Sequence, residues 1–432
     1  MIPPQPPVQD RPSTVNRRPF FALYAAAFCS MLGIGIIVPF LPRYAQHVGA
    51  GKFFYVGLIF GFMNVSRLIF LPMMRREVES GRRKKRTILI EGLGCYALLS
   101  MAYLWSDNPF TLGIVRFFNG FFAVMVIPVS MAIVGELTPK MGEGREMGNF
   151  QMAMMGGFGL GPLLGGVLDD LFGYAYAFIT MGALNLLALC MVLFMFPDEE
   201  DDKATAAPSR QVGPSGPPGT PQVPMHRYRE ALGSPIVFGV LIFRLINNLG
   251  QGASFTFIPI LASDPRYLSL SPSRVGLIIS TIAMVVGIFS PVFGRLADRF
   301  SRVKLVITGS LGYTICIVFM AHCRGFWSLW MVGILMGLFG AVATPAAAAI
   351  SVVEGRQYGM ITVMTLFDMA MSLGLFIGPL IGGLIGDAFG LHSCFHFTGL
   401  IGLLGTSVFY LLLRHTDANR PLSQALSRAQ DA

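Results

Sequence analysis

Charge is scarce in this sequence. Asp, Glu, Lys and Arg make only 13% of the 432 residues, against about a quarter in ordinary soluble domains. With 53% hydrophobic residues and a mean hydropathy of +0.62, the apolar runs have no polar faces to show to water, which excludes a soluble globular fold. The six cysteines (Cys29, Cys95, Cys190, Cys316, Cys323, Cys394) lie in or beside apolar runs without paired spacing. That excludes a disulfide framework, and they read as small buried hydrophobes. His322, His392 and His396 are scattered and complete no metal-ligand set. No phosphate loop of the form G-x-x-x-x-G-K-[S/T] is present, so ATP is not the expected direct energy source, and no nucleophile and base set points to an enzyme or to a cofactor. Residues 1–19 are rich in proline and arginine but have no apolar core ending in a cleavage site, which argues against a signal peptide and for a disordered tail.

What is present is apolar helix, nearly end to end. A bilayer core about 30 Å thick needs roughly 20 predominantly apolar helical residues. Twelve stretches qualify, near 20–42, 53–74, 87–105, 109–136, 147–170, 173–196, 235–262, 274–296, 304–322, 326–353, 359–386 and 391–413. The net charge of +9 resides in short segments between them, as a topology signal and not as a nucleic-acid surface. Of the 32 Lys and Arg, 24 fall on the side that holds both tails; Arg43, Lys52, Arg266, Arg274 and Arg324 fall on the other; Arg67, Arg116 and Arg244 lie within spans. By the positive-inside rule both termini are expected in the cytoplasm and the chain in the plasma (inner) membrane, crossing it an even number of times. The densest basic segment, 75–86, would attract anionic lipid at about 1 kcal/mol per cation, or serve only as a topology anchor.

Residues 197–233 are rich in Pro, Gly and charge and read as a cytoplasmic linker between bundles at 20–196 and 234–414, with a second tail at 415–432. The bundles are repeats. Adding 217 carries Pro42 to Pro259, Gly120 to Gly337 and Pro128 to Pro345, and it carries Gly157, Gly161, Pro162, Gly165 and Gly166 to Gly374, Gly378, Pro379, Gly382 and Gly383. The expected fold is an all-α polytopic membrane protein with twelve transmembrane helices in two pseudo-symmetric six-helix bundles, a layout suited to rocking about a central site. Glycines four apart let another backbone approach closely, and the proline bends the helix. The two glycine motifs therefore read as a moving seam or as static small-residue packing.

At this point the chain resembles the major facilitator superfamily along residues 20–414. Gly157 to Gly166 matches the fifth-helix motif G-x-x-x-G-P-x-x-G-G of drug/proton antiporters, and Arg116-Phe-Phe-Asn-Gly120 matches the fourth-helix motif R-x-x-x-G. Gly294-Arg-Leu-Ala-Asp298-Arg299-Phe-Ser-Arg302 matches the loop motif G-x-L-A-D-R-x-G-R with Ser301 for its last glycine, and Val38-Pro39-Phe-Leu-Pro42 resembles the first-helix proline pair of twelve-span drug transporters. The resemblance implies a monomeric transporter whose loop aspartate latches the cytoplasmic face through a helix dipole. The equivalent first-half loop, MMRREVESGRRKKR, has no aspartate; either Glu77 or Glu79 substitutes for it or the first-half latch is lost, while Asp298 keeps the second.

Ionisable groups inside a bilayer are costly and are functional candidates by default. Arg244 lies ~15 Å deep at 1.5 Å per residue, on one helical stripe with Asn248 and Gln251. Asp368 lies at similar depth and either pairs with Arg244 or faces the cavity to bind substrate or proton. Arg67 follows Asn64, and Arg116 precedes Asn119, by one turn; each arginine either snorkels to the headgroups or lines the cavity. Glu91 either pairs with the basic loop or joins a proton path, whereas Glu136, Asp169 and Asp170 read as solvated span ends. Without ATP an ion gradient must drive uphill movement. The leading expectation is proton-coupled efflux of a small lipophilic or drug-like compound, favoured by the fifth-helix motif and a Met- and Phe-rich interior. The alternatives are an organic anion or nutrient transporter that binds through intramembrane arginines, and a receptor-like or structural protein that kept the fold but lost transport.

Overall fold

The computed structural model describes residues 17–80, 83–138, 143–196, 225–358 and 360–414. The expected tails beyond Arg17 and Arg414 and the linker over 197–224 lie outside these residues. Twelve long apolar helices run through the rest. The first half contains α1 (Arg18–Ile37), α2 (Phe53–Ser80), α3 (Lys85–Ala102), α4 (Pro109–Leu137), α5 (Glu143–Phe172) and α6 (Tyr174–Met195). The second contains α7 (Pro235–Ser263), α8 (Pro272–Arg299), α9 (Arg302–Met320), α10 (Phe326–Tyr358), α11 (Met360–Phe389) and α12 (Leu391–Leu413). Residues 17 and 414 lie at one end of the helices, the proximal end; the opposite end is distal.

Helix starts follow local chemistry. Asn108 and Ser234 precede a proline at the first helical position of α4 and α7, and their side chains accept from Thr111 N–H at 2.9 Å and Val237 N–H at 3.5 Å. The α5–α6 and α11–α12 turns each pivot on one left-handed glycine, Gly173 (φ 85°) and Gly390 (φ 87°), where a side chain would strain the backbone. Two boundaries differ from expectation. The proline pair does not sit inside a first span of 20–42: α1 ends at Ile37, and Pro42 opens a separate short helix, Leu41–His47, because a proline tolerates a first turn but not an interior. The last part of the 197–233 linker is a short helix, Met225–Gly233, whose Ala231 is fully buried.

Within each half the glycine motif decides the packing. A methyl group at Gly165 would stand 1.9 Å from the Ile36 carbonyl oxygen, and one at Gly378 2.1 Å from that of Leu249. Only glycine allows α5 to lie on α1, and α11 on α7, at that distance. Gly157, Gly161, Gly374 and Gly382 also pack inside their own halves, against Phe28, Gly35, Leu245 and Phe257. Most of each stripe is therefore intra-bundle packing, not seam. The halves meet along two antiparallel helix pairs, α2 with α11 and α5 with α8.

Candidate functional site at the seam between the halves

The seam is tightest toward the distal end. On α2, Gly57 presses on the Pro379 carbonyl of α11, where a methyl group would come within 2.1 Å of the oxygen, and Gly61 abuts Phe376. On α8, Gly276 presses in the same way on the Pro162 carbonyl of α5, at 2.2 Å. From each motif, Gly166 and Gly383 face the opposite half, meeting Pro272 and Phe53. Proline bends explain part of the bonding: Pro162 interrupts the α5 ladder, and the next residue, Leu163, donates its N–H across the seam to Ser280 Oγ at 2.7 Å.

This antiparallel register, carried toward the proximal end, sets Asn64 level with Ser372 and Arg67 level with Asp368. Asp368 lies close enough to act electrostatically on both Arg67, from the first half, and Arg244, from the second. The Arg244 guanidinium also stacks on the Phe367 ring at 4.4 Å and donates to Met371 Sδ at 2.9 Å. Of its stripe partners, Asn248 is buried and its amide donates back to the Arg244 carbonyl at 2.7 Å, while Gln251 is half-buried. Arg67, half-buried, lies on α2 with Gly57 and Gly61 and stands within electrostatic reach of Asp368.

Arg116 and Asn119 form a second nest, inside the first half. Arg116 is 3% exposed and its guanidinium lies 5.2 Å from the Phe60 ring centroid. The Tyr96 hydroxyl donates to Asn119 Oδ1 at 3.4 Å, and Tyr96 and Tyr103 stand within electrostatic reach of Arg116. Arg116 Nε and Nη1, Asn119 Nδ2 and the Tyr103 hydroxyl have no hydrogen-bond partner among the described residues, nor do Arg244 Nε and Ser372 Oγ at the seam. Glu91 belongs to neither group: it pairs with Arg83 of the basic loop, both side chains 43% exposed. Its hydrogen bond, then its charge, raise the Arg83 pKa above the usual arginine value. Glu136 is not simply solvated but pairs with the buried Lys85. Gly294 lies near Pro345 on α10, at 3.9 Å from a methyl placed on it, and Arg302 opens α9; the side chains of Asp298 and Arg299 lie outside the described residues.

A family model, Major Facilitator Superfamily, matches the chain over residues 23–267 and 240–430. The chain belongs to this superfamily. It is 24% identical over 413 residues to a multi-drug resistance efflux pump PmrA homolog of Lactococcus lactis, covering 93% of this chain and 95% of that protein. An uncharacterized MFS-type transporter of Methanocaldococcus jannaschii is 23% identical over 403 residues, covering 90% and 97%. Among solved structures, a bacterial homolog of the human lysosomal transporter Spinster, inward-facing and unoccupied, superposes with a TM-score of 0.77 at 13% identity, covering 93% and 98%. The protein is accordingly a multi-pass transporter of the major facilitator superfamily with two six-helix halves.

Several seam residues of this superfamily member escape a repeat search at one offset. Val56-Gly57-Leu58-Ile59, with Pro72, recurs as Val275-Gly276-Leu277-Ile278, with Pro291, at an offset of 219 and not 217. The second half has two more residues between its first and second spans, so a fixed shift passes over the glycines of α2 and α8. Asp170 and Asp387 do share the 217 offset, just beyond the glycine motif. Ser280 replaces Gly61 at the 219 offset and carries no sequence signal of its own.

Proposed function

We propose that the protein exports a small lipophilic or drug-like molecule by alternating access, with the proton as coupling ion and Asp368 as its carrier. What supports this reading is that Asp368 stands within electrostatic reach of guanidinium groups from both halves, Arg67 and Arg244. Ionised, it attracts Arg67 and Arg244 toward the seam; neutralised by a proton, it leaves two cations that repel. A carboxylate shared by two rocking bodies therefore ties protonation to their relative position. With the termini cytoplasmic, the distal end is the outer face, and the state described here is closed outward. The relationship to the Lactococcus lactis efflux pump homolog supports the direction of transport.

The test is thermal stabilisation of the purified protein by lipophilic cations, organic anions and sugars at pH 6 and pH 8, with Asp368→Asn as control. A lipophilic hit whose affinity rises with pH, and loses that dependence in Asp368→Asn, is the expected result. A second reading is favoured by Arg67, Arg116 and Arg244 outnumbering deep carboxylates: an organic anion held by guanidinium groups. An anionic hit abolished by Arg244→Ala, with no pH effect from Asp368→Asn, would overturn the efflux reading in its favour.

A further inference from the structure

At the distal rim each half sends a carboxylate across the seam to the first turn of a helix in the other half. Asp387, near the end of α11, accepts from the Phe53 N–H at 2.7 Å with one oxygen and from the Phe54 N–H at 3.0 Å with the other. Asp170, near the end of α5, accepts from the Ser273 hydroxyl in the first turn of α8 at 2.5 Å. The arrangement follows the internal two-fold. Asp170 and Asp387 are equivalent at the 217 offset, and Phe54 and Ser273 at the 219 offset of the helices they touch. The one chemical difference is explained by sequence. Phe53 corresponds to Pro272, which has no N–H to donate, and at the next position the Ser273 hydroxyl supplies the missing donor.

We propose that Asp170 and Asp387 are the distal gate latch: positioning residues that hold the two halves together at this face and set the balance between distal-closed and distal-open states. The inference rests on the alternating-access reading above. Each carboxylate is fixed to one half and its donors to the other, so rocking the halves apart breaks these bonds while leaving each bundle intact. The first-turn N–H groups of α2 have no intrahelical acceptor and favour a negative charge beside them. Charge-assisted bonds of this kind are the stronger ones. The Asp387 arm, with two backbone donors at a helix start, holds more firmly than the Asp170 arm, with one hydroxyl.

The test uses the full-length protein in sealed vesicles carrying Ser280→Cys, since Ser280 is buried in the α5–α8 seam at 1% exposure. A membrane-impermeant maleimide is added from the distal side, and labelling at position 280 is read by mass spectrometry, which separates it from the native cysteines. Asp387→Ala should raise the labelling rate roughly tenfold, Asp170→Ala less, and the double substitution more than either, as expected from losing charge-assisted bonds in one state only. A second reporter, Met152→Cys, lies proximal to the α5–α8 contact and is 68% exposed; in inverted vesicles its labelling should fall as that at 280 rises. Melting temperatures of the variants should stay near that of the parent, because the bundles are untouched. Unchanged labelling at 280 in the double variant would overturn the latch, as would a large melting loss with no change in labelling. A rise at 280 without the reciprocal fall at 152 keeps the latch but overturns alternating access, so the two failures are separable.

Discussion

Substituting Gly57 by alanine tests the seam where it is tightest. The added methyl would stand 2.1 Å from the Pro379 carbonyl oxygen and 2.6 Å from its carbon, and both belong to backbone that cannot rotate away. Ordinary contact begins near 3.4 Å, so α2 and α11 must separate locally by about 1.3 Å. Carried along a stiff helix to its start, that retreat stretches the Asp387 bonds to Phe53 and Phe54, now 2.7 and 3.0 Å, to about 4 Å, beyond hydrogen-bond reach. Overpacking of this kind costs about 1–3 kcal/mol, here charged only to the distal-closed state, so the closed-to-open ratio should fall by roughly 5- to 150-fold. Hydrogen exchange with mass spectrometry should show faster exchange of the amides at 53 and 54. Gly165→Ala, whose methyl would meet Ile36 inside the first half, should instead lower the melting temperature without selectively freeing those amides. Gly148→Ala, with nothing within 4 Å, should do neither. If Gly57→Ala and Gly165→Ala give the same exchange pattern, the division into seam and bundle glycines is wrong.

Other consequences are independent of that seam. Lys85→Met removes the pair with Glu136 at the proximal end and should cost about 1–3 kcal/mol, partly recovered in Lys85→Met/Glu136→Leu, as read by melting of the single and double variants. In the distal connection after α7, the hydrogen bond from the Arg266 side chain, chiefly, holds the Asp264 carboxyl below its usual pKa. A depressed carboxylate stabilises above its unfolded value, about 3.9, and loses that contribution as pH falls through the folded one. Because Arg266 is 71% exposed, the effect should be only about 0.2–1 kcal/mol, and a melting series from pH 6 down to pH 3 should lose less in Asp264→Asn than in the parent.

The broad architecture was legible in sequence because it depends on sums. Hydropathy over a span and repetition of Gly157–Gly166 at 374–383 average over many residues, and the twelve helices match within a few positions. The seam was less legible because it depends on direction. Gly161 and Gly165 differ from Gly166 only in the face they occupy, and sequence spacing alone does not say which face meets the other half. Pro39 and Pro42 carry the same ambiguity between bending a helix and ending it, and here the chain ends α1 at Ile37. Asp170 looked like a solvated span end because its partner, Ser273, is 103 residues away in sequence. Arg67 met the same limit: its neighbour Asp368 lies in the other half, and the register that brings them level exists only after the halves dock.

Arg116 separates stability from function most sharply. It is buried to 3% exposure with Nε and Nη1 unpartnered among the described residues, and the Phe60 ring at 5.2 Å offsets only part of the cost of a cation there. A guanidinium at a helix centre in lipid costs about 2.5–3.5 kcal/mol on insertion scales. Packing alone would favour a long apolar side chain at this position, which makes Arg116 a candidate for a role other than stability. Arg116→Met should therefore melt at or above the parent temperature, since a buried charge is exchanged for an unbranched side chain of similar length. Its transport should nonetheless fall well below the parent level, and Arg116→Lys should recover little of it, because an ammonium lacks the planar fork that can address Tyr103 and Asn119 together. Flux into reconstituted vesicles and melting, measured on the same preparations, decide the matter. A lower melting temperature with flux reduced in proportion to the folded fraction would make Arg116 a structural residue and remove it from the site.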